Sequence, residues 1–417
     1  MSFQQGLSGL NASSKNLEVI GNNVANANTV GAKASRAEFG DMYATAINGT
    51  NIGIGVTLQA VTQQFTQGNI TTTDNPLDLA INGAGFFEVS NNGTTLYTRN
   101  GQFQANKDGF ITNNVGMKLI GYPAAKDGTI QPGAPVPLQL PTGGVDPNPT
   151  ARVAIEMNLD SRKATTLVAG TPQIDFANAK TYNDATSVTV FDAKGQDIAL
   201  TYYFQKSATD TWNVYATANG TSAKVDAGGN PLPITTIAFP PNGGAPTAPA
   251  VAVPFDIPST VNAVGATTLA MPGVLLDVTG ATQYGSGFGV TSMAQDGYAA
   301  GQLTGVSIEK SGVVMATYSN GQSKPAGQLE LATFRNPQGL SPLGGNLWAR
   351  SFASGDPTVG TPSSGNIGTL QAGALEESNT DLTGELVDMI TAQRIYQANA
   401  QTIKTQDQVL QTLVNLR

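Results

Sequence analysis

The 417-residue sequence contains no cysteine and no histidine. The first absence removes disulfides and thiol nucleophiles. The second removes the commonest general base, and together they exclude the usual zinc ligand sets. Charge is scarce as well: Asp, Glu, Lys and Arg make up 12% of the chain, about half the usual ~25%. The net charge of -8 makes nucleic acid and anionic membrane poor partners. No run of 18 apolar residues occurs, so no membrane insertion is expected. Residues 1–30 carry only Lys15 and Glu18 as charges and have no apolar stretch of the signal-peptide kind. A chain that is cytoplasmic, or exported without cleavage, is expected.

What is plentiful is Gly (48) and Pro (23), with much Asn, Thr and Ala. This suits short strands separated by many turns. Alternating apolar runs persist throughout, which argues against disorder. The exceptions are the two ends. From Thr380 to Arg417, apolar residues fall at Leu382, Leu386, Met389, Tyr396, Ala400, Ile403, Leu410 and Val414, with polar breaks at Gln393 and Asp407. Their spacing of three and four is a heptad-like stripe, with a period of about 3.5 residues. Ser378-Asn379-Thr380-Asp381 fits a capping box and predicts the helix start. About 36 helical residues span roughly 54 Å, too long to bury their stripe on themselves. At the other end, Phe3, Leu7, Leu10, Leu17, Ile20, Val24 and Ala27 recur by three, four or seven. Gly6, Gly9, Gly21 and five Asn make this a weak helix that needs a partner. The two terminal helices are therefore expected to pair as a coiled coil.

Between them the chain reads as β. Residues 25–33 suggest a helix end followed by a bend, and the stretch to Thr73 a polar connector with local strands. Leu77, Leu79 and Ile81 alternate, Asn92-Gly93 signals a hairpin, and strand character runs to Tyr122. Six prolines between Pro132 and Pro149 mark a boundary. A second β unit follows, with clean alternation at Ile198, Leu200, Tyr202 and Phe204 and then Trp212 and Val214; a loop-rich stretch runs from Gly228 to Pro258. Strands resume from Gln302 to Arg335. The order predicts a mainly β multidomain fold with nested domains: a terminal helical domain (1–27 with 380–417), a connector (28–72 with 373–379), a discontinuous β domain (73–149 with 290–372) and an inserted β domain (150–289). Nesting of this kind brings both ends together.

No catalytic, cofactor or metal constellation emerges. Gly53-Ile-Gly55 and Gly83-Ala-Gly85 lack the helix start of a phosphate loop and read as turns. Glu376, Glu377 and Asp381 cluster before the last helix, where negative charge is stabilising by itself. Trp212 with Tyr202–Phe204 could offer a sugar platform, but alternation makes these residues core. A secreted carbohydrate-binding adhesin therefore stays open as an alternative, although it leaves the terminal stripes idle. A glycosidase would need two converging carboxylates.

The ends also carry motifs. Asn22-Asn23-Val24-Ala25-Asn26-Ala27-Asn28-Thr29-Val30-Gly31, followed by Lys33, resembles the N-terminal motif of the flagellar rod and hook axial proteins. Ala32 stands where that family usually has an aromatic. Residues 385–390, 393–399 and 404–407 are similar to the family's C-terminal signature. Ala80–Phe87 and Tyr97–Phe103 are shared with rod proteins, while Val190-Phe191-Asp192, Leu200–Phe204 and the overall length resemble the hook branch. A distal rod-type subunit is the runner-up.

The resemblance implies a structural protein that is not an enzyme. It implies a helical homopolymer, a flexible hollow tube outside the cell and distal to the basal body, which couples the motor's rod to the filament and transmits torque. It also implies type III export without a signal, and partnership with the distal rod protein, the hook cap protein, the hook-filament junction protein and the hook-length control protein. On this expectation the apolar stripes carry self-assembly and the inserted domain lies outermost.

Overall fold

The computed structural model describes residues 2–44, 52–125, 127–167, 170 and 172–415. Helix α1 spans Ser2–Ala25 and helix α2 spans Leu382–Asn415. The 34 residues of α2 correspond to roughly 51 Å. Its N-cap is Asp381, whose carboxylate accepts the Thr383 N–H at 3.0 Å. Ser378, the expected head of the capping box, instead bonds the Thr380 hydroxyl. No described helix is long and apolar enough to cross a membrane.

The chain forms two units. The first comprises Met1–Thr142, Thr304–Thr317 and Ser323–Arg417; the second comprises Gly143–Leu303 and Tyr318–Gln322. In the first, α1 leads into a long antiparallel hairpin of β1 (Ser35–Ala44) and β2 (Ile52–Gln63), in register from Ser35↔Gln63. The sequence reading expected only a connector with local strands here. The alternation Ile52, Ile54, Val56, Leu58, Ala60 is the signal for β2; interleaved glycines weaken it.

The β core of this unit is organised on the strand Phe86–Asn91. It pairs with Thr94–Thr98 through the turn at Asn92 (φ 49°) and Gly93 (φ 95°), the left-handed pair that a tight hairpin needs. Along its other edge lie Lys118–Pro123 and Leu331–Thr333. Successive side chains point to opposite faces. Phe87, Val89, Leu119 and Leu331 enter one core with Leu79, Ile81, Phe103 and Ile111. Phe86, Tyr97, Ala332, Phe334 and Trp348 form a second layer. There, rings meet edge to face, as in Phe65–Phe86 at 5.5 Å and Tyr97–Phe334 at 4.8 Å between centroids.

The second unit has two five-stranded sheets around one core. Val153, Ile155, Met157 and Leu159 alternate inward from the strand Arg152–Asp160. Ile198, Leu200, Tyr202 and Phe204 do so from Asp197–Ala208. Tyr202, Phe204 and Trp212 are fully buried, so none of them offers a platform to a sugar. The Trp212 indole donates to Gln283 Oε1 at 2.8 Å, and Gln283 in turn donates to Asp210 at 2.7 Å.

Candidate functional site: the helix pair and its junction

The two terminal helices pack against each other within the first unit. The line of closest approach on α1 runs through small residues. A Cβ added to Gly6 would lie 3.0 Å from Ile403 Cγ1, and one added to Gly9 would lie 2.8 Å from the Asn399 side chain. Ser13, Ile20 and Asn23 continue this line and are buried. On α2 the less exposed positions are Gly384, Glu385, Met389, Ala392, Asn399, Ala400, Ile403 and Gln406. The glycines that weaken α1 as an isolated helix are thus what lets α2 come close. An adjacent flank of α1 rests on β2: Gln5 donates to the Gly53 carbonyl at 2.6 Å, and Ser8 exchanges hydrogen bonds with the Val56 backbone.

The predicted stripes divide between this seam and the solvent. Ile20 is buried; Leu10, Leu17 and Val24 are half-buried, as are Met389, Ala400 and Ile403 on α2. Leu7, Leu382, Leu386, Tyr396 and Leu410 are exposed. Val414 belongs to α2, but its side chain lies outside the described residues. Further apolar residues of α2, namely Val387, Ile390, Ile395 and Val409, are about half exposed. They lie on several sides of the helix, a pattern found in helices covered from several directions.

Beyond the pair, the motif that ends α1 forms a knot. Asn26 Nδ2 donates to the Asn22 side chain at 2.7 Å, and Thr29 donates to Asn26 at 3.3 Å. Asn28 is exposed. Asn23 is the bridge: its amide donates to the Ser35 carbonyl and to Glu385 Oε1, both at 2.8 Å, and its oxygen accepts the Ser35 N–H. It thereby ties α1, β1 and α2 together. Gly31 has φ +70°, and a Cβ there would lie 2.6 Å from the Asn100 nitrogen, so only glycine fits. Ala32 is buried beside a cavity of about 460 Å³ that is also lined by Asn22, Asn26, Leu347 and Trp348.

At the centre of the junction sits Glu376, with no exposed side-chain surface. Lys33 Nζ contacts its Oε1 at 2.6 Å, and Arg99 Nη1 contacts its Oε2 at 3.1 Å. The Gly68 N–H donates to Oε1 at 3.0 Å. Lys33 also donates to the Thr66 carbonyl and Arg99 to the Gly83 carbonyl, each at 2.8 Å. The Arg99 guanidinium lies 5.3 Å from the Phe86 ring centroid. Burial lowers the pKa of Lys33 and of Arg99, and the Glu376 charge opposes both shifts. Asn379 completes the junction: its oxygen accepts the Ala34 N–H at 2.8 Å and its amide donates to the Gln64 carbonyl at 2.7 Å. The sequence reading had placed Glu376 among acids that favour a helix start. Its actual role, neutralising cations 343 and 277 residues away, leaves no local pattern to read.

This arrangement holds two helices in fixed relation to a β core, and the chain matches known proteins along its whole length. Family models match residues 3–33 (flagella basal body rod protein), 80–164 (flagellar hook protein FlgE/F/G D1 domain), 158–298 (flagellar basal body protein FlaE D2 domain) and 371–416 (flagellar basal body rod FlgEFG protein C-terminal). Flagellar hook protein FlgE of Salmonella typhimurium is 41% identical, and that of Escherichia coli 42%, with 100% of both chains covered in each case. The Treponema pallidum hook protein is 31% identical over 100% of this chain and 99% of its own. Among solved structures, the crystal structure of Helicobacter pylori flagellar hook protein FlgE2 aligns with a TM-score of 0.51 and 15% identity. It covers 73% of this chain and 100% of that one, a likeness of fold alone.

Proposed function

The chain belongs to the flagellar hook protein FlgE family, and from that premise we propose how its parts build a hook. It is a structural subunit of the flagellar hook, a polymer of this family that stands outside the cell body. Copies stack helically into a flexible hollow tube that joins rod to filament and transmits torque. Residues 1–27 and 380–417 form the inner tube. Residues 28–72 with 373–379 connect it to the discontinuous β domain (73–149 with 290–372), and residues 150–289 lie furthest from the axis. A heterologous interface of this kind does not close on itself and so grows into a helix.

The observation that carries the reading is the unpaired apolar surface of α2. Leu382, Leu386, Val387, Ile390, Ile395 and Leu410 are each 45–58% exposed in the single chain. Removing such surface from water favours association by about 25 cal/mol per Å². The other predicted stripe residues, Leu7, Leu10, Leu17, Ile20, Val24, Met389, Tyr396, Ala400, Ile403 and Val414, supply the rest of the layer. The Asn22–Lys33 motif sets the angle at which that layer leaves the β unit. Distal rod, hook cap, hook-filament junction and hook-length control proteins meet the polymer at its ends, and the type III apparatus delivers the subunit. The reading assigns no catalysis and no cofactor.

The test is electron microscopy of the concentrated protein beside Leu410→Asp. The unaltered chain should form tubes. A charge placed in a buried seam costs several kcal/mol, so the variant should form none while its β units unfold as before. Normal tubes from the variant would remove the stripe from the interface.

A further inference from the structure

The strand Phe86–Asn91 meets Leu331–Thr333 in the antiparallel register Phe87↔Leu331 and Phe86↔Ala332. The next facing pair in that register is Glu88 and Glu330. Glu88 is 5% exposed and Glu330 is 0% exposed. By alternation both point to the side of Phe86 and the aromatic layer, away from water. Neither oxygen of Glu330, nor Oε1 of Glu88, has a donor in hydrogen-bonding geometry.

Of the titratable groups around them among the described residues, only Tyr122 gives partial relief, its hydroxyl opposing the effect of burial on Glu330. Tyr97 faces Glu88 from the strand Thr94–Thr98, and Tyr122 stands beside Glu330 on Lys118–Pro123. Arg350 and Asp356 also act on Tyr97 but are exposed and paired with each other at 2.6 Å. Among the described residues, no cation acts on either acid. Two ionised carboxylates this close and this dry repel each other, and neither is solvated. A single proton changes the arrangement: the protonated acid gains an O–H that the facing carboxylate accepts, which pairs one oxygen of each acid and removes the repulsion.

We propose that Glu88 and Glu330 hold one shared proton at neutral pH and so form a proton-operated latch between the strands Phe86–Asn91 and Leu331–Thr333, released in alkaline surroundings. The proton leaves to solvent base, and two facing carboxylates remain. Burial first, and the Glu330 charge second, push Glu88 up to about 8, and burial raises Glu330 as well. The unfolded chain loses these protons near the ordinary 4.5. Between those values the folded state binds more protons, so stability declines as pH rises through that window. The latch belongs to the β core of the first unit and operates in the single chain, whether or not the chain assembles.

Infrared spectroscopy and thermal unfolding of the full chain as a monomer, from about pH 5 to about pH 10 in EDTA, test this. The unaltered protein should show a protonated-carboxyl band at neutral pH that fades toward alkaline pH, with the unfolding temperature falling by several degrees from about pH 5 to about pH 8. Glu330→Gln should remove the band and flatten the profile, because its amide donates to Glu88 without a titrating proton. Glu88→Gln is the reciprocal variant, and the infrared band of the unaltered protein decides by itself if neither variant folds. Absence of the band at neutral pH, or an unchanged profile in both variants, overturns the latch. So does a profile that added calcium flattens, which would make the occupant a metal ion.

Discussion

Replacing Glu376 by Gln should strongly destabilise the first unit and leave the second untouched. The substitution keeps size and shape, and an amide oxygen can still accept the Gly68 N–H. What it removes is the one negative charge between Lys33, at 2.6 Å, and Arg99, at 3.1 Å, where neither cation has more than 5% of its side chain exposed. Leaving buried charges without their counter-ion costs about 3–5 kcal/mol. For a unit of this size that is a fall of roughly 6–20 °C in its unfolding temperature.

The sequence provides a clean assay because it contains two tryptophans. Trp348 lies in the first unit and Trp212 in the second. In a Trp212→Phe background, Trp348 fluorescence during urea unfolding reports the first unit alone. The pH dependence is a second check. Burial holds Lys33 below its ordinary 10.5, although Glu376 opposes the shift. Folded protein therefore binds fewer protons than unfolded protein between the lowered value and 10.5, and this group's share of stability rises with pH through that window. Without Glu376 the window widens downward, because Lys33 sheds its proton sooner. The deficit of Glu376→Gln should thus be largest near neutral pH and shrink in alkali. Lys33→Met, which leaves Arg99 and Glu376 as a neutral pair, should cost less than Glu376→Gln. A deficit below about 1 kcal/mol at neutral pH, or one that grows in alkali, would refute the charge argument.

Two further outcomes follow from the helix seam and the nesting of the units. Gly9→Leu raises the intrinsic helix propensity of α1 by up to about 1 kcal/mol, yet it should loosen the helix pair, because even a Cβ meets Asn399 at 2.8 Å; faster amide exchange along α2 in the variant is the readout, and unchanged exchange would count against close approach. Deleting residues 150–289, with Pro149 joined to Val290 through a short Gly/Ser linker, should leave tubes that form but are straight or poorly supercoiled; failure of a folded, exported deletion to assemble would make the insert part of the framework.

The helices at both ends were legible because periodicity survives without context. So was the Asn92–Gly93 hairpin, whose two left-handed residues are a local demand. The inward alternation of Ile198 to Phe204 was legible for the same reason. The facing line of the helix pair was not. On α2, the line through Leu382, Leu386, Met389, Tyr396 and Ile403 and the line through Glu385, Met389, Ala392, Asn399 and Ile403 both step by three, four or seven residues. They share Met389 and Ile403, and periodicity cannot choose between them. Only α1, with Gly6 and Gly9 in place, selects the second. Propensity scored those glycines as weaknesses because it describes a helix in water, where nothing comes close enough to need the missing Cβ.

The same limit explains Glu376, and it bears on how the parts work together. A buried ion pair gains its meaning from residues that only the finished fold assembles. Lys33 comes from the segment after α1, Arg99 from a β hairpin, and Glu376 from the strand Ala374–Glu376 that leads toward α2. The contact therefore forms only when both ends of the chain have returned to the β core. Asn23 and Asn379 impose the same condition, joining residues 362 and 345 positions apart respectively. In a chain read as a hook subunit this ordering has a mechanical consequence. Force carried along the terminal helices would enter the β unit through Lys33, Arg99, Glu376 and the Asn bridges, together with the Asn346–Val30 and Trp348–Gln63 hydrogen bonds. These contacts are short, directional and largely buried, unlike the apolar faces of α2, which are non-directional and tolerate sliding. On the proposed function, a rigid joint inside each subunit and a non-directional apolar surface between subunits would let a tube bend while each subunit keeps its internal geometry.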